Sequence, residues 1–201
     1  MTELPSVRQV ERVREATRAM FEELRDGIER EHERFQRQVH AIEQQYVSLA
    51  TLHAAGHALH GSLKREGVLA AIQEIVINLI GSEQLAIVAA DEALTLQARF
   101  GVTGEQLRGL NRDAGIIGRA RAELRPLALL RDMPSDATGV RVCIPLMLGD
   151  EPAGFVLIFG FLPQKEEIGP LDYELFSLLA SRAAPALLAC EALERRGSHV
   201  G

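Results

Sequence analysis

Between Ser6 and His60 the chain has no proline, and only Gly27 and Gly56 interrupt residues that favour helix. No other feature restricts the fold as much. A helix over this stretch extends about 80 Å at about 1.5 Å per residue, more than one small domain can cover. With Val7 at position a of a heptad, the a sites read Val7, Arg14, Phe21, Ile28, Phe35, Ile42, Leu49 and Gly56. The d sites read Val10, Thr17, Leu24, Glu31, Gln38, Gln45, Leu52 and Leu59. The a seam is mostly apolar, whereas Glu31, Gln38 and Gln45 fail in succession along d. A sustained a seam argues for a helix that pairs with another helix, and the polar d run argues against an optimised rod. The expectation is a parallel homodimer held by Val7, Phe21, Leu24, Ile28, Phe35, Ile42 and Leu49, with an antiparallel pair, which would put the two domains at opposite ends, as the main rival. Gln38 and Gln45 would face their symmetry mates, and a closing helix around Leu175, Leu179 and Leu187 would extend the interface.

Composition narrows the classes. Of 201 residues, 47% are hydrophobic and 25% charged, the balance of a folded soluble protein. A net charge of −6 argues against nucleic acid as a partner, since phosphate binding needs a basic patch. No run of uninterrupted apolar residues approaches the length that spans a bilayer, and the first residues lack the apolar centre of a secretory signal. Cys143 and Cys190 are too few for a disulfide framework or a four-thiolate metal site. These features give the expectation of a cytoplasmic, reduced protein with no membrane and no nucleic-acid partner.

After Gly61 the period changes. VLAAIQEIVINLIG sets Leu69, Ile72, Ile75, Val76 and Leu79 at helical spacing, and Gly81 closes it. QLAIVAAD and LTLQARFG have strand length and read as a hairpin. A mixed segment over 102–135 contains the helix-like AGIIGRARAELR and the short run PLALL. VCIPLMLGDEPAGFVLIF is a second hairpin, apolar at both parities, so both of its faces need cover. Gly149-Asp150 supplies the turn, and Pro145, which cannot donate to a ladder, suggests a bulge or an open edge. A final helix begins at Pro170 and contains Pro185. Helices around 66–80 and 170–193 can cover one sheet face, which leaves 102–135 for the other, where a ligand cavity would form.

REGVLAAIQEIVINLIGSEQLAIVAADEALTLQARFG, AGIIGRARAELRPLALLRD, RVCIPLMLGDEPAGFVLIFG and IGPLDYELFSLLASRAAPALLACEAL, in that order, resemble a GAF domain of the bacterial signalling type. The resemblance covers about residues 46–194. It implies an α+β fold: a six-stranded antiparallel sheet with a helix bundle on one face, preceded by the long coiled-coil helix. The domain limits expected are 1–60 for the helix, its end joining the bundle, 61–196 for the GAF domain, and 197–201 for a flexible tail. The family's pocket lies under the irregular segment, which puts Phe100, Leu110, Arg112, Asp113, Ile116, Cys143 and Met147 around it.

The chemistries of the family leave marks that can be checked. The Asn-Lys-x-Asp type motif of its cyclic-nucleotide branch has no counterpart here. Residues 61–198 hold no histidine to accompany Cys143 around a bilin, and a thiol relay would need a second pocket cysteine. No catalytic residue and no cofactor is therefore expected, and Cys143 reads as a small buried hydrophobe. Arg112 and the amides near Ala114–Ile116 could meet an anion, or Asp113 could cap the helix while Arg112 stays in solvent. His53, His57 and His60 share one helix face, a spacing that suits a metal, a pH-sensitive contact or a polar stripe at the junction. With no cysteine nearby they are weak metal candidates. The function expected is a non-enzymatic regulatory or sensory module. It would bind a small molecule or relay a conformational state through a dimeric helix to a signalling partner protein. The alternative is a ligand-free scaffold or adaptor.

Overall fold

The computed structural model of the chain describes residues 7–129, 138–165 and 167–197. The chain divides into two units, Met1–Ser48 and Leu49–Gly201. Helix α1 (Val7–His60) is continuous over 54 residues. In the first unit the apolar residues Met20, Phe21, Leu24, Ile28, Phe35 and Ile42 are 59–64% exposed. Val7 and Val10 lie on the helix, but their side chains are outside the described set. The helix runs to His60 as expected, and its end, through Leu52, Ala55 and Leu59, packs into the core of the second unit, which begins at Leu49.

In the second unit, α2 (Arg65–Glu74) runs on into a π-helical turn over Ile75–Ile80. Its buried side recurs every three or four residues at Val68, Leu69, Ile72, Ile75 and Val76. Gly81, at φ +81°, ends it in the left-handed conformation that glycine reaches without strain. Strands β1 (Gln84–Ala89), β2 (Leu96–Phe100), β3 (Leu127–Ala128), β4 (Val142–Leu148) and β5 (Glu151–Gly160) form one antiparallel sheet in the order β2-β1-β5-β4-β3. That is five strands among the described residues, not the six implied by resemblance. β3 is only two residues long, and the segment 130–137 after it lies outside the described residues. Gly149 (φ +67°) makes the two-residue turn between β4 and β5. The bulge in this hairpin falls between Leu146 and Met147, not at Pro145. β3 pairs only with Val142 and Cys143, so Pro145 sits beyond the end of that ladder.

The sheet alternates as a strand's two-residue period requires. Leu85, Ile87, Val142, Ile144, Val156 and Ile158 face a helical layer built from the end of α1, α2 and α5 (Pro170–Gly197). Ala86, Val88, Cys143, Phe155 and Leu157 face the other way, under α4 (Gly115–Glu123) and its flanking loops. Among the described residues α5 is the one helix long and apolar enough to cross a membrane by length and composition. Its Leu175, Phe176, Leu179 and Ala183 are fully buried against the sheet. Leu175 and Leu179 are therefore core residues and are not free to extend a dimer interface.

Candidate functional site

The segment expected to cover the second sheet face does so. Helix α3 (Gly104–Arg108) starts in a capping box: Gln106 N–H donates to Thr103 Oγ1, and Thr103 N–H donates to Gln106 Oε1 at 2.9 Å. Leu107 within it and Leu110 just after it pack onto the second cluster. Helix α4 then lays Ile116, Ile117 and Ala120 over Cys143, Phe155 and Leu157. Gly118 lets α4 approach the turn before it. A Cβ built there would stand 2.6 Å from the Asp113 backbone, a separation no side chain tolerates.

The expected pocket residues separate into four groups. Ile116 and Cys143 are buried in the cluster and Leu110 is partly buried against it, so they fill the space they were expected to line. Phe100 is on the opposite face. The β1–β2 register pairs it with Leu85, whose side chain belongs to the helical side, and it is half-exposed there. Met147 has the parity of Cys143 but lies past the bulge, half-buried and outside both clusters.

Arg112 and Asp113 form the polar rim. Arg112 Nη1 donates to the Ala90 carbonyl at 3.3 Å. Its Nε is buried without a hydrogen bond, 3.6 Å from Asp113 Oδ1. Asp113 does not cap α4, whose N-cap is Ala114. Its carboxylate instead accepts from Arg121 Nη1 at 2.7 Å, while its N–H donates to Asn111 Oδ1 at 2.9 Å. Nearby, Asp91 sits below its ordinary pKa, chiefly because Thr95 donates to its carboxylate, with a smaller contribution from the Arg112 charge. Cys190, on the helical side, donates to the Ser62 carbonyl, and burial pushes its thiol pKa up. A buried thiol of raised pKa is a poor nucleophile.

The His53 and His57 rings stand 6.4 Å apart and exposed. Among the described residues no group of three or more His, Cys, Asp or Glu side chains is placed to hold a metal. A polar cluster that sequence reasoning missed lies on the helical side. Arg65 bonds Glu191 of α5 and donates to Gln97 Oε1 of β2 at 2.5 Å. It lines a cavity of about 290 Å³ together with Leu146, Ala184 and Leu187. These residues are far apart in the chain, and no local motif marks them.

No family model matches the sequence, and no curated protein does. Solved structures do. The GAF domain of an Acinetobacter phosphoenolpyruvate-protein phosphotransferase superposes with a TM-score of 0.58 at 15% identity, covering 74% of this chain and 98% of that one. The GAF domain of a protein described as a sensor histidine kinase from Pseudomonas syringae pv. tomato gives 0.57 at 17% identity, covering 80% and 97%. That of a Coxiella burnetii phosphoenolpyruvate-protein phosphotransferase gives 0.53 at 16% identity, covering 75% and 96%. With its antiparallel sheet between a helical layer and a loop-and-helix cover, this chain carries the GAF fold.

Proposed function

We propose that this chain is a regulatory module of signal transduction that works as a homodimer through α1 and relays a conformational state to a partner protein. The observation that carries the reading is the exposed stripe Phe21, Leu24, Ile28, Phe35 and Ile42 on a helix that no described element of its own unit covers. A soluble chain rarely leaves so long an apolar stripe in water, and stripes of this kind mark interaction surfaces. The GAF domains it resembles come from a sensor kinase and phosphotransferases, which supports a signalling role. No catalytic step is part of the proposal: the two thiols are buried on opposite sides of the sheet and cannot act together.

A second reading, an adaptor that holds no ligand, is favoured by the packing under α4, where Cys143, Ile116 and Ile117 occupy the second face. Native mass spectrometry of the purified chain separates it from a ligand sensor, since a retained small molecule adds mass.

The dimer is tested by light scattering. The full chain should give twice its 22.0 kDa, and Phe21→Asp with Ile28→Asp should halve the mass while the second unit stays folded by circular dichroism. Each buried large apolar side chain contributes about 1.5–3 kcal/mol, so two charges at the seam are enough to dissociate a modest coil. A native chain that stays monomeric at high micromolar concentration overturns the reading.

A further inference from the structure

We propose that the second helix in that dimer runs antiparallel, crossing α1 of the first copy on a two-fold axis between Glu31 and His32. The proposal rests on the homodimer reading above and adds the direction of the partner.

The stripe on α1 is not one heptad seam. Ile28, Phe35, Ile42 and Leu49 form an unbroken seven-residue column, but the apolar companions of the column change side. Before Ile28 the companion stands three residues on, as Leu24 does after Phe21. From Phe35 it stands four residues on, as Val39 does after Phe35 and Tyr46 after Ile42. The polar Gln38 and Gln45 therefore lie beside the seam, and the residues on it at those levels are Val39 and Tyr46. Helix α1 continues through the change without a break, so the shift is a four-residue stutter in the repeat. Between the two halves, the only residues on the seam side are Glu31 and His32.

This arrangement reads the same in both directions. Ile28 and Phe35 lie equally far from the Glu31–His32 midpoint, as do Leu24 and Val39, and Phe21 and Ile42. An isologous contact, in which residue i meets j and j meets i, needs this mirror order. Turned antiparallel, each copy sets an apolar residue against an apolar residue at all six levels. At the centre Glu31 meets His32 of the second copy, and His32 meets Glu31, so two carboxylate–imidazole pairs close the polar gap. A parallel pair in register would instead oppose Glu31 to Glu31 at that level, and like charges face to face repel. A single polar layer of this kind fixes register and orientation. On the flanks, Arg18 comes within one turn of Glu43 of the second copy, again opposite in sign. The parallel arrangement also loses the support expected from α5, since Leu175 and Leu179 are buried in their own core.

The test is a pair of spin-labelled variants of the full chain, measured by pulsed electron double resonance. Glu15 is exposed and off the seam. A nitroxide at Glu15→Cys should lie about 50 Å from its mate in the antiparallel pair, against less than about 20 Å in a parallel one. A label at Glu33→Cys, close to the axis, should give a short distance in either orientation and so reports that the labelled chain dimerises. The native chain, treated alike, gives the baseline for Cys143 and Cys190. A long Glu15 distance together with a short Glu33 distance supports the proposal. Short distances at both positions overturn the orientation and leave the dimer standing. A monomer by light scattering removes both.

Discussion

Lys165 sets its ammonium 2.7 and 2.8 Å from the two carboxylate oxygens of Asp172, and Asp172 also accepts from Gly169 N–H at 2.7 Å. Asp172 is 4% exposed and stands in the first turn of α5, where a negative charge complements the helix dipole. The pair fastens the β5–α5 connection, whose Leu162 N–H donates to the Gly81 carbonyl at 2.9 Å. Removing one member leaves the other charge inside without compensation. Asp172→Ala should therefore cost about 3 kcal/mol, on the order of 10 °C in melting temperature for a unit of this size. Lys165→Met with Asp172→Leu should recover most of that loss. A single variant that melts with the native chain would show that the pair contributes nothing.

Gly118 carries a second prediction. Because a Cβ there would meet the Asp113 backbone at 2.6 Å, Gly118→Ala must push α4 off the turn that precedes it, despite alanine's better helix propensity. Overpacking of this kind costs about 1–3 kcal/mol. The midpoint of urea unfolding should fall accordingly. A variant as stable as the native chain, or more stable, would mean that helix and turn are not in close contact.

Much of this architecture was legible because local rules and tertiary packing agree in it. The change from helical period to alternation at Gln84, the Gly149-Asp150 turn and the apolar parities of β4 and β5 each follow from a short stretch of residues. The face of Phe100 was not legible. It depends on a register shift between Ile87 and Val88, and one residue of slip turns every side chain to the other side of the sheet. The residue at which α1 passes from one unit to the other was not legible for a related reason. Leu52 and Leu59 continue the heptad count, yet they pack into the second unit, and no periodicity distinguishes a partner helix from a core. Arg65 and Glu191 are 126 residues apart, and only the folded chain brings them together.

The β1–β2 connection gives a pH-dependent prediction. Asp91 accepts from Thr95 N–H at 2.8 Å, and hydrogen bonds from Thr95, the side chain first and then the backbone, hold its pKa below the ordinary 3.8. Leu94 N–H and the Arg112 charge act in the same direction. A carboxyl whose pKa is lower in the folded than in the unfolded chain releases its proton more readily when folded. Its contribution to stability is therefore complete above the unfolded value and disappears as the pH falls through the folded one. Asp91→Asn removes the ionisation but keeps a side-chain oxygen that can accept from Thr95. At neutral pH the native chain should melt above Asp91→Asn. As the pH falls below 3.8, the difference between the two melting temperatures should close. Other carboxylates titrate in the same range and lower both curves, so the difference between them isolates Asp91. A gap that stays constant down to about pH 3 would assign the stabilisation to the shape of the turn rather than to the charge.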